Sequence, residues 1–245
     1  MKALCLTLSV VCAVPVWAGE SCTEDAMIVF DGSGSMAEMG FNAIGEPRIV
    51  QARQAMRQVL PDIAVLRRLG LVIYGPGGDR TCRNVDLRLT PQWQADAPII
   101  SEIEGLRPAG GTALTDGVRL AAETLDYRNV PGAVVLVTDG KETCGGTPCQ
   151  LAAEFAREAP GLTVHVIGFK VRGDHWDWST PDAPGESVAR CLADDTGGQY
   201  LSAETVDELV GALRVTLGCN VFGSLDNFTA TEFGGHWGAG QASQR

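Results

Sequence analysis

The sequence predicts an α/β fold in which a doubly wound, mostly parallel sheet carries helices on both faces and has one antiparallel edge strand. Three short runs of Val, Ile, Leu and Phe indicate strands that are buried on both faces, as in a parallel sheet. Helical patterns alternate with these runs, which is the order of a doubly wound sheet. Such sheets bind ligands beyond the carboxyl ends of their strands, where the strand order reverses.

The predicted elements follow one another regularly. Asn84–Leu89 alternates apolar and polar residues, so we expect a half-exposed strand that pairs antiparallel with Leu69–Tyr74. Pro148 can open a helix, and Gly197 can stop one. The other predicted strands are Ala26–Phe30, Ala133–Thr138, Leu162–Phe169 and Gln199–Leu201. The predicted helices are Arg48–Leu60, Ala95–Leu106, Leu114–Leu125, Pro148–Glu158, Ser187–Asp195 and Glu204–Leu217.

The two ends of the chain differ from the region between them. Lys2, the apolar run from Ala3 to Val16 and the small residue Ala18 are typical of a signal peptide, which we assign to residues 1–18. The run is shorter than the roughly 20 apolar residues that span a bilayer. We therefore expect a product exported to the periplasm or the medium without a membrane span. Residues 19–219 are expected to form one domain, and the polar residues 220–245 a flexible tail.

The overall charge narrows the class of partner. The 245-residue chain has a formal net charge of −11, and no basic patch offsets it. This balance argues against nucleic acid or anionic lipid as a partner and favours solubility.

Oxygen-bearing side chains occur in three separate loops. Asp31, Ser33 and Ser35 follow the first predicted strand on a glycine-rich turn. Thr112 follows Gly110-Gly111 and precedes a helix, and Asp139 stands at the carboxyl end of the strand Ala133–Thr138. Turn chemistry alone explains each segment, but together they supply two carboxylates and three hydroxyls, which are hard oxygen donors.

These three segments resemble the metal-ion-dependent adhesion site (MIDAS) of von Willebrand factor A domains. The pattern is Asp-x-Ser-x-Ser after an apolar strand, then Gly-Gly-Thr, then a strand ending in Thr-Asp-Gly, and the similarity extends from about Cys22 to about Cys219. Three further stretches resemble a bacterial secreted or periplasmic branch of this family. They are Gly168-Phe169-Lys170, the turn from Cys144 to Cys149, and Thr196-Gly197-Gly198-Gln199-Tyr200. The resemblance implies a Rossmann-like fold and a non-enzymatic domain that binds proteins.

The resemblance also implies a role for each of the five residues. Ser33 and Ser35 would be direct ligands, Thr112 would bind directly or through water, and Asp31 and Asp139 would act mostly through bridging waters. Mg²⁺ suits such a site, with Mn²⁺ or Ca²⁺ as alternatives. Because neutral hydroxyls and water dominate, the cation would accept an Asp or Glu carboxylate of a partner protein.

Two other interpretations remain open. The domain could be a structural scaffold in which the metal only orders the loops. It could also be a phosphatase of the haloacid dehalogenase type with Asp31 as nucleophile, but Ser33 stands where that family has its second acidic residue. No histidine has a catalytic partner in the sequence, and His165 lies in an apolar strand.

Six cysteines remain beyond residue 18, and an even number in an exported chain predicts disulfides. In the fold that the resemblance implies, the chain ends lie close together, so Cys22 is expected to pair with Cys219. For the others, either Cys144 pairs locally with Cys149, or Cys82 pairs with Cys144 and Cys149 with Cys191. A thiolate zinc site is less favoured because no histidine lies near the Cys144-to-Cys149 segment.

The predicted surface loop Arg172–Glu186 contains two large aromatic residues. Trp176 and Trp178 stand in a polar setting, where such side chains often contact partners. The alternative, that they fold back over an apolar patch, is equally open.

Overall fold

The computed structural model describes residues 24–39, 45–76, 82–171 and 187–218. In these ranges, helices and strands alternate from the first element to the last. The strands are β1 (Asp25–Asp31), β2 (Leu69–Tyr74), β3 (Val85–Gln92), β4 (Gly132–Thr138), β5 (Leu162–Phe169) and β6 (Tyr200–Ala203). The helices are α1 (Arg48–Ile63), α2 (Asp96–Gly105), α3 (Leu114–Thr124), α4 (Pro148–Glu158), α5 (Ser187–Asp195) and α6 (Val206–Leu217).

The strands of the described residues form a single sheet in the order β3-β2-β1-β4-β5-β6. All neighbours pair in parallel except β2 and β3, which are antiparallel. The predicted fold class, including its antiparallel edge strand, is therefore confirmed. The strand order reverses between β1 and β4, so the carboxyl ends of these two strands flank the crevice where doubly wound sheets bind ligands.

Each face of the sheet is covered by three helices and has its own core. One core packs α1, α2 and α6 against side chains such as Ile28 and Val135. The other packs α3, α4 and α5 against Val29 and Leu136. Because alternate residues of β1 and β4 point to opposite faces and both faces are covered, both strands are apolar between their end residues, which is the pattern that predicted them.

Several element boundaries differ from the predicted ones. The helix predicted to end at Leu60 continues through Pro61 to Ile63, because Pro61 lies in the last turn and Ile63 is buried. A short 3₁₀ turn, Gly34–Ala37, follows the first strand and was not predicted. Over the ranges that the structure describes, no helix is long and apolar enough to cross a bilayer.

Candidate metal-binding site

The turn after β1 is held by its own backbone and by β2. The amide of Gly32 donates to the carbonyl of Tyr74 at 2.8 Å, which places the turn beside the end of β2. The amide of Ser33 donates to Oδ1 of Asp31 at 2.8 Å. This local hydrogen bond fixes the buried Asp31 side chain and aims the following residues across the sheet toward β4.

The two serines connect this turn to the end of β4. Ser33 Oγ and Ser35 Oγ share a hydrogen bond of 3.0 Å, and Ser35 Oγ donates to Asp139 Oδ1 at 2.6 Å. Asp31, Ser33 and Asp139 are buried, whereas Ser35 is half-buried. Two hydroxyls and a carboxylate from distant parts of the chain therefore form one continuous polar cluster that meets solvent at Ser35.

The second oxygen of Asp31 is held by a chain of hydroxyls. Thr138 Oγ1 donates to Asp31 Oδ2 at 2.7 Å, and the Tyr74 hydroxyl donates to Thr138 Oγ1 at 3.1 Å. Burial first, and then the charge of Asp31, raise the pKa of Tyr74 well above its ordinary value. Tyr74 thus stays a neutral donor that keeps Thr138 turned toward Asp31.

The loop that carries Thr112 is hydrogen-bonded to both neighbouring loops. The amide of Ala109 donates to the carbonyl of Gly32 at 3.0 Å, and the amide of Gly34 donates to the carbonyl of Gly110 at 3.2 Å. On its other side, the amide of Thr112 donates to Thr143 Oγ1 at 2.8 Å, and the amide of Thr143 donates to the carbonyl of Thr112 at 3.0 Å. The three predicted segments therefore meet at one edge of the sheet.

A disulfide and a carboxylate stabilise the loop after β4. Cys82 and Cys144 are bonded, with their Cα atoms 5.3 Å apart, and a Cβ atom added to Gly111 would lie 2.8 Å from the sulfur of Cys144. Glu142 accepts hydrogen bonds from the amide and hydroxyl of Thr115 and from the amide of Cys144. The disulfide thus lies directly behind the residue that precedes Thr112.

A buried arginine also borders the cluster. Nη1 of Arg48 lies 3.3 Å from Asp139 Oδ2 and donates to the carbonyl of Ser35 at 3.0 Å. The side chain of Arg48 is 1% exposed. The cluster therefore contains one cationic group as well as two carboxylates.

The donor set determines what the cluster can hold. Across the described part of the chain, no three His, Cys, Asp or Glu side chains gather as a metal-binding group, so a cation here would depend on hydroxyl oxygens. The donors Ser33, Ser35 and Thr112, with the nearby carboxylates Asp31 and Asp139, are hard oxygens of the kind that Mg²⁺ and Mn²⁺ prefer. The residues present fit a divalent cation of this class.

The other predicted positions divide into two groups. Among the described cysteines, Cys82 pairs with Cys144 and Cys149 with Cys191, which is one of the two predicted arrangements and leaves no thiol pair for zinc. Residues 1–18, Cys22, Cys219, the tail and the loop with Trp176 and Trp178 lie outside the described residues. His165 lies in strand β5, as the sequence predicted.

Sequence reasoning missed the residues that hold the cluster in place. Arg48 and Tyr74 contact it through partners that lie far away in the chain, and Glu142 supports the loop after β4 by accepting from Thr115, 27 residues away, so no local spacing indicates these roles. A signal existed for Arg48, which occupies a position on the apolar face of α1 together with Ala52, Ala55 and Val59. A charge on a buried helical face predicts a buried counter-charge.

A comparison with protein families matches residues 26–142 to the von Willebrand factor type A domain. The matched residues contain all three loops. A relative from Bacillus subtilis, the uncharacterized protein YwmD, is 25% identical over 213 residues, which cover 83% of this chain and 88% of that protein.

Two solved structures with similar folds come from an adhesin and a mussel thread protein. The pilus adhesin SpaC from Lactobacillus rhamnosus GG superposes with a TM-score of 0.61 at 16% identity, over 80% of this chain and 30% of that one. Proximal thread matrix protein 1 from the mussel byssus, with a zinc-occupied MIDAS motif, superposes with a TM-score of 0.53 at 20% identity, over 80% and 46%. At these identities the likeness concerns the fold.

Proposed function

We propose that the chain, whose residues 26–142 match the von Willebrand factor type A domain, is an exported, non-enzymatic interaction module whose loop cluster holds a divalent cation and binds an acidic group of a partner protein. One observation carries the proposal. At the strand-order reversal, Ser35 joins Ser33 to Asp139 across two loops, and the third loop, which carries Thr112, is hydrogen-bonded through its backbone to both of them.

Each residue of the cluster has a distinct task in this proposal. Ser33, Ser35 and Thr112 would hold the cation, while Asp31 and Asp139 balance its charge. A bound divalent cation would supply an electrophilic position that a carboxylate can complete. The half-buried Ser35 marks where the cluster meets solvent and therefore where a partner side chain would approach.

The contacts of Asp31 favour binding over hydrolysis. A nucleophilic carboxylate needs an oxygen that can reach a substrate, but both oxygens of Asp31 accept hydrogen bonds and its side chain is fully buried. Turnover of generic phosphate esters that Asp31→Asn abolishes would favour the phosphatase interpretation instead.

Two disulfides support an extracytoplasmic location, since disulfides persist in oxidising compartments. The metal of choice is Mg²⁺, and the mussel protein's zinc-occupied site supports a divalent ion in a related fold. The partner class is a protein with an accessible Asp, Glu or terminal carboxylate.

Calorimetry on the oxidised protein tests the proposal directly. We expect uptake of Mg²⁺ or Mn²⁺ by the wild type and none by Asp139→Ala, while Asp62→Ala, an exposed carboxylate near the end of α1, keeps wild-type affinity. Capture of envelope proteins should require the metal. Absence of uptake of Mg²⁺, Mn²⁺ and Ca²⁺ would contradict the proposal, and uptake with metal-independent capture would favour the scaffold.

A further inference from the structure

Arg48 occupies a position that is unfavourable for an arginine unless something compensates it. It is the first residue of α1, where the positive end of the helix dipole disfavours a cation, and it is 1% exposed. Burial of a guanidinium carries a further desolvation cost. The compensation must come from the groups around its head.

Two of those groups belong to residues of the loop cluster, and the third belongs to Glu38. Nη1 of Arg48 donates to the carbonyl of Ser35 at 3.0 Å, to Asp139 Oδ2 at 3.3 Å and to Glu38 Oε2 at 3.4 Å. Glu38 is 67% exposed, so its contribution is screened by solvent. Of these two carboxylates, Asp139 is the buried one, and each of its oxygens has a different contact: Oδ2 accepts from Arg48 and Oδ1 accepts from Ser35.

The formal charge of the cluster follows from this arrangement. Asp31 and Asp139 supply two negative charges and Arg48 supplies one positive charge, so these three side chains together are singly negative. A divalent cation would make their sum singly positive, whereas the cation with Asp31 and Asp139 alone would be neutral. A neutral site attracts a carboxylate far less than a positive one in a partly buried setting.

We propose that Arg48 is a specificity residue: its buried guanidinium adds one positive charge beside Asp139 in the metal-loaded cluster, and this charge favours a carboxylate ligand. This inference rests on the proposed function. The positive charge of Arg48 repels a bound cation and attracts a carboxylate ligand, so it should weaken cation binding and strengthen carboxylate binding. The two affinities should therefore separate when Arg48 is replaced.

The experiment uses the full oxidised chain with Mn²⁺ and acetate as probes. Calorimetry measures Mn²⁺ affinity, and the relaxation of water protons by bound Mn²⁺ measures displacement of water by acetate. The variants are Arg48→Met, which removes the charge, and Arg48→Lys, which keeps it. Arg67→Met is the matched control, because Arg67 is also buried but donates to the carbonyls of Glu24 and Leu217.

We expect the Mn²⁺ affinity of Arg48→Met to equal that of the wild type or to exceed it by up to about threefold. Its affinity for acetate should be lower by about tenfold or more. Arg48→Lys should keep acetate affinity within about threefold, and Arg67→Met should keep both affinities. In chelator, Arg48→Met should unfold at a lower temperature than the wild type, and Mn²⁺ should restore most of the difference, because its carboxylates lack their buried counter-charge without metal.

Three outcomes would overturn the inference. They are unchanged acetate affinity in Arg48→Met, loss of Mn²⁺ binding in Arg48→Met equal to that of Asp139→Ala, and tenfold weaker acetate binding in Arg48→Lys. If Arg48→Met does not fold, Arg48→Gln, which also removes the charge, takes its place in the comparison. Failure of the wild type to bind Mn²⁺ would instead contradict the proposed function, so the two failures are distinguishable.

Discussion

The disulfide Cys82–Cys144 lies among the loops of the candidate site, whereas Cys149–Cys191 joins α4 to α5 on one face of the sheet. The two bonds close loops of similar length, with sequence separations of 62 and 42 residues. By the chain-entropy model, each therefore stabilises the fold by about 4 kcal/mol. Their contributions to stability are alike, and their contributions to the site should differ.

The reason for the difference is what each bond contacts. The sulfur atoms of Cys82 and Cys144 lie against Gly111, and the residues beside it, Thr112 and Thr143, exchange backbone and side-chain hydrogen bonds. Cys149–Cys191 holds two helices whose buried residues belong to the second core. The disulfide Cys82–Cys144 therefore supports a loop of the candidate site, whereas Cys149–Cys191 stabilises the helices of the second core.

Removing each disulfide gives the largest expected effect. Replacing both Cys82 and Cys144 by Ser should lower stability by about 4 kcal/mol and weaken Mg²⁺ binding about 10- to 100-fold, the range for groups that orient metal ligands. Replacing both Cys149 and Cys191 by Ser should cost similar stability at unchanged Mg²⁺ affinity. Urea unfolding and calorimetry at a temperature where all variants are folded measure both quantities. Equal losses of Mg²⁺ affinity would remove the distinction between the two regions.

A single methyl group at Gly111 tests the same contact without breaking the bond. In Gly111→Ala, the added Cβ would lie 2.8 Å from the Cys144 sulfur and 3.1 Å from the Cys82 sulfur, so the Thr112 loop or the disulfide must shift. We expect a stability loss of about 2 kcal/mol and weaker Mg²⁺ binding. Gly211→Ala in α6 is the control, since nothing lies within 4 Å of its added Cβ.

The control should become more stable by about 0.5–1 kcal/mol, because alanine favours a helix over glycine. Its Mg²⁺ affinity should not change. Wild-type Mg²⁺ affinity in Gly111→Ala would mean that the disulfide does not position the Thr112 loop.

Glu142 sharpens the comparison because it supports the site loop without a covalent bond. Glu142→Gln keeps the shape but weakens charge-assisted hydrogen bonds to Thr115 and Cys144, for an expected cost of about 1.5 kcal/mol. The cost of Glu142→Gln should increase when Cys82 and Cys144 are also replaced, because the same loop then loses both its disulfide and its charge-assisted hydrogen bonds. Additive costs in this double-mutant cycle, measured by urea unfolding, would show that the two supports act separately.

The smallest expected effect is on the pH dependence of stability and comes from His165 in β5, which is not part of the candidate site. Burial and the nearby charge of Arg67 lower the pKa of His165 from 6.5 to about 4, and its Nδ1 accepts a hydrogen bond from the amide of Gln199. The unfolded chain therefore binds a proton below pH 6.5 that the folded chain takes up only near pH 4. Stability should fall as the pH drops through this window.

His165→Gln, which does not titrate, should reduce the loss of stability between pH 7 and pH 5 by about 1 kcal/mol, after allowance for the partial exposure of the ring. Urea unfolding at the two pH values measures it. Mg²⁺ affinity at pH 7 should equal that of the wild type, as expected for a residue outside the site region. An unchanged pH dependence would assign the acid sensitivity to other groups.

The amino-acid sequence was sufficient to predict the sheet and the segments of the candidate site. Apolar runs such as Ala26–Phe30 identified the buried strands, because strands with two covered faces have apolar side chains on both of them. Asp31, Ser33 and Ser35 are neighbours in the chain, so their pattern is visible directly. Element ends were less predictable: the helix predicted to end at Leu60 continues to Ile63, which is buried.

The pairing of cysteines and the support of the cluster required the tertiary structure. Six cysteines allow 15 pairings, and no spacing in the chain distinguishes Cys82 from Cys149 as the partner of Cys144. Likewise, 91 residues separate Arg48 from Asp139 and 64 separate Tyr74 from Thr138.

By itself, then, the sequence determined which residues form strands and which loops carry oxygen donors, because backbone periodicity and turn chemistry act over a few neighbouring residues. Only the tertiary structure decided which of those loops touch. That depends on β1 lying between β2 and β4, an arrangement that the packing of two helical layers selects across the whole chain.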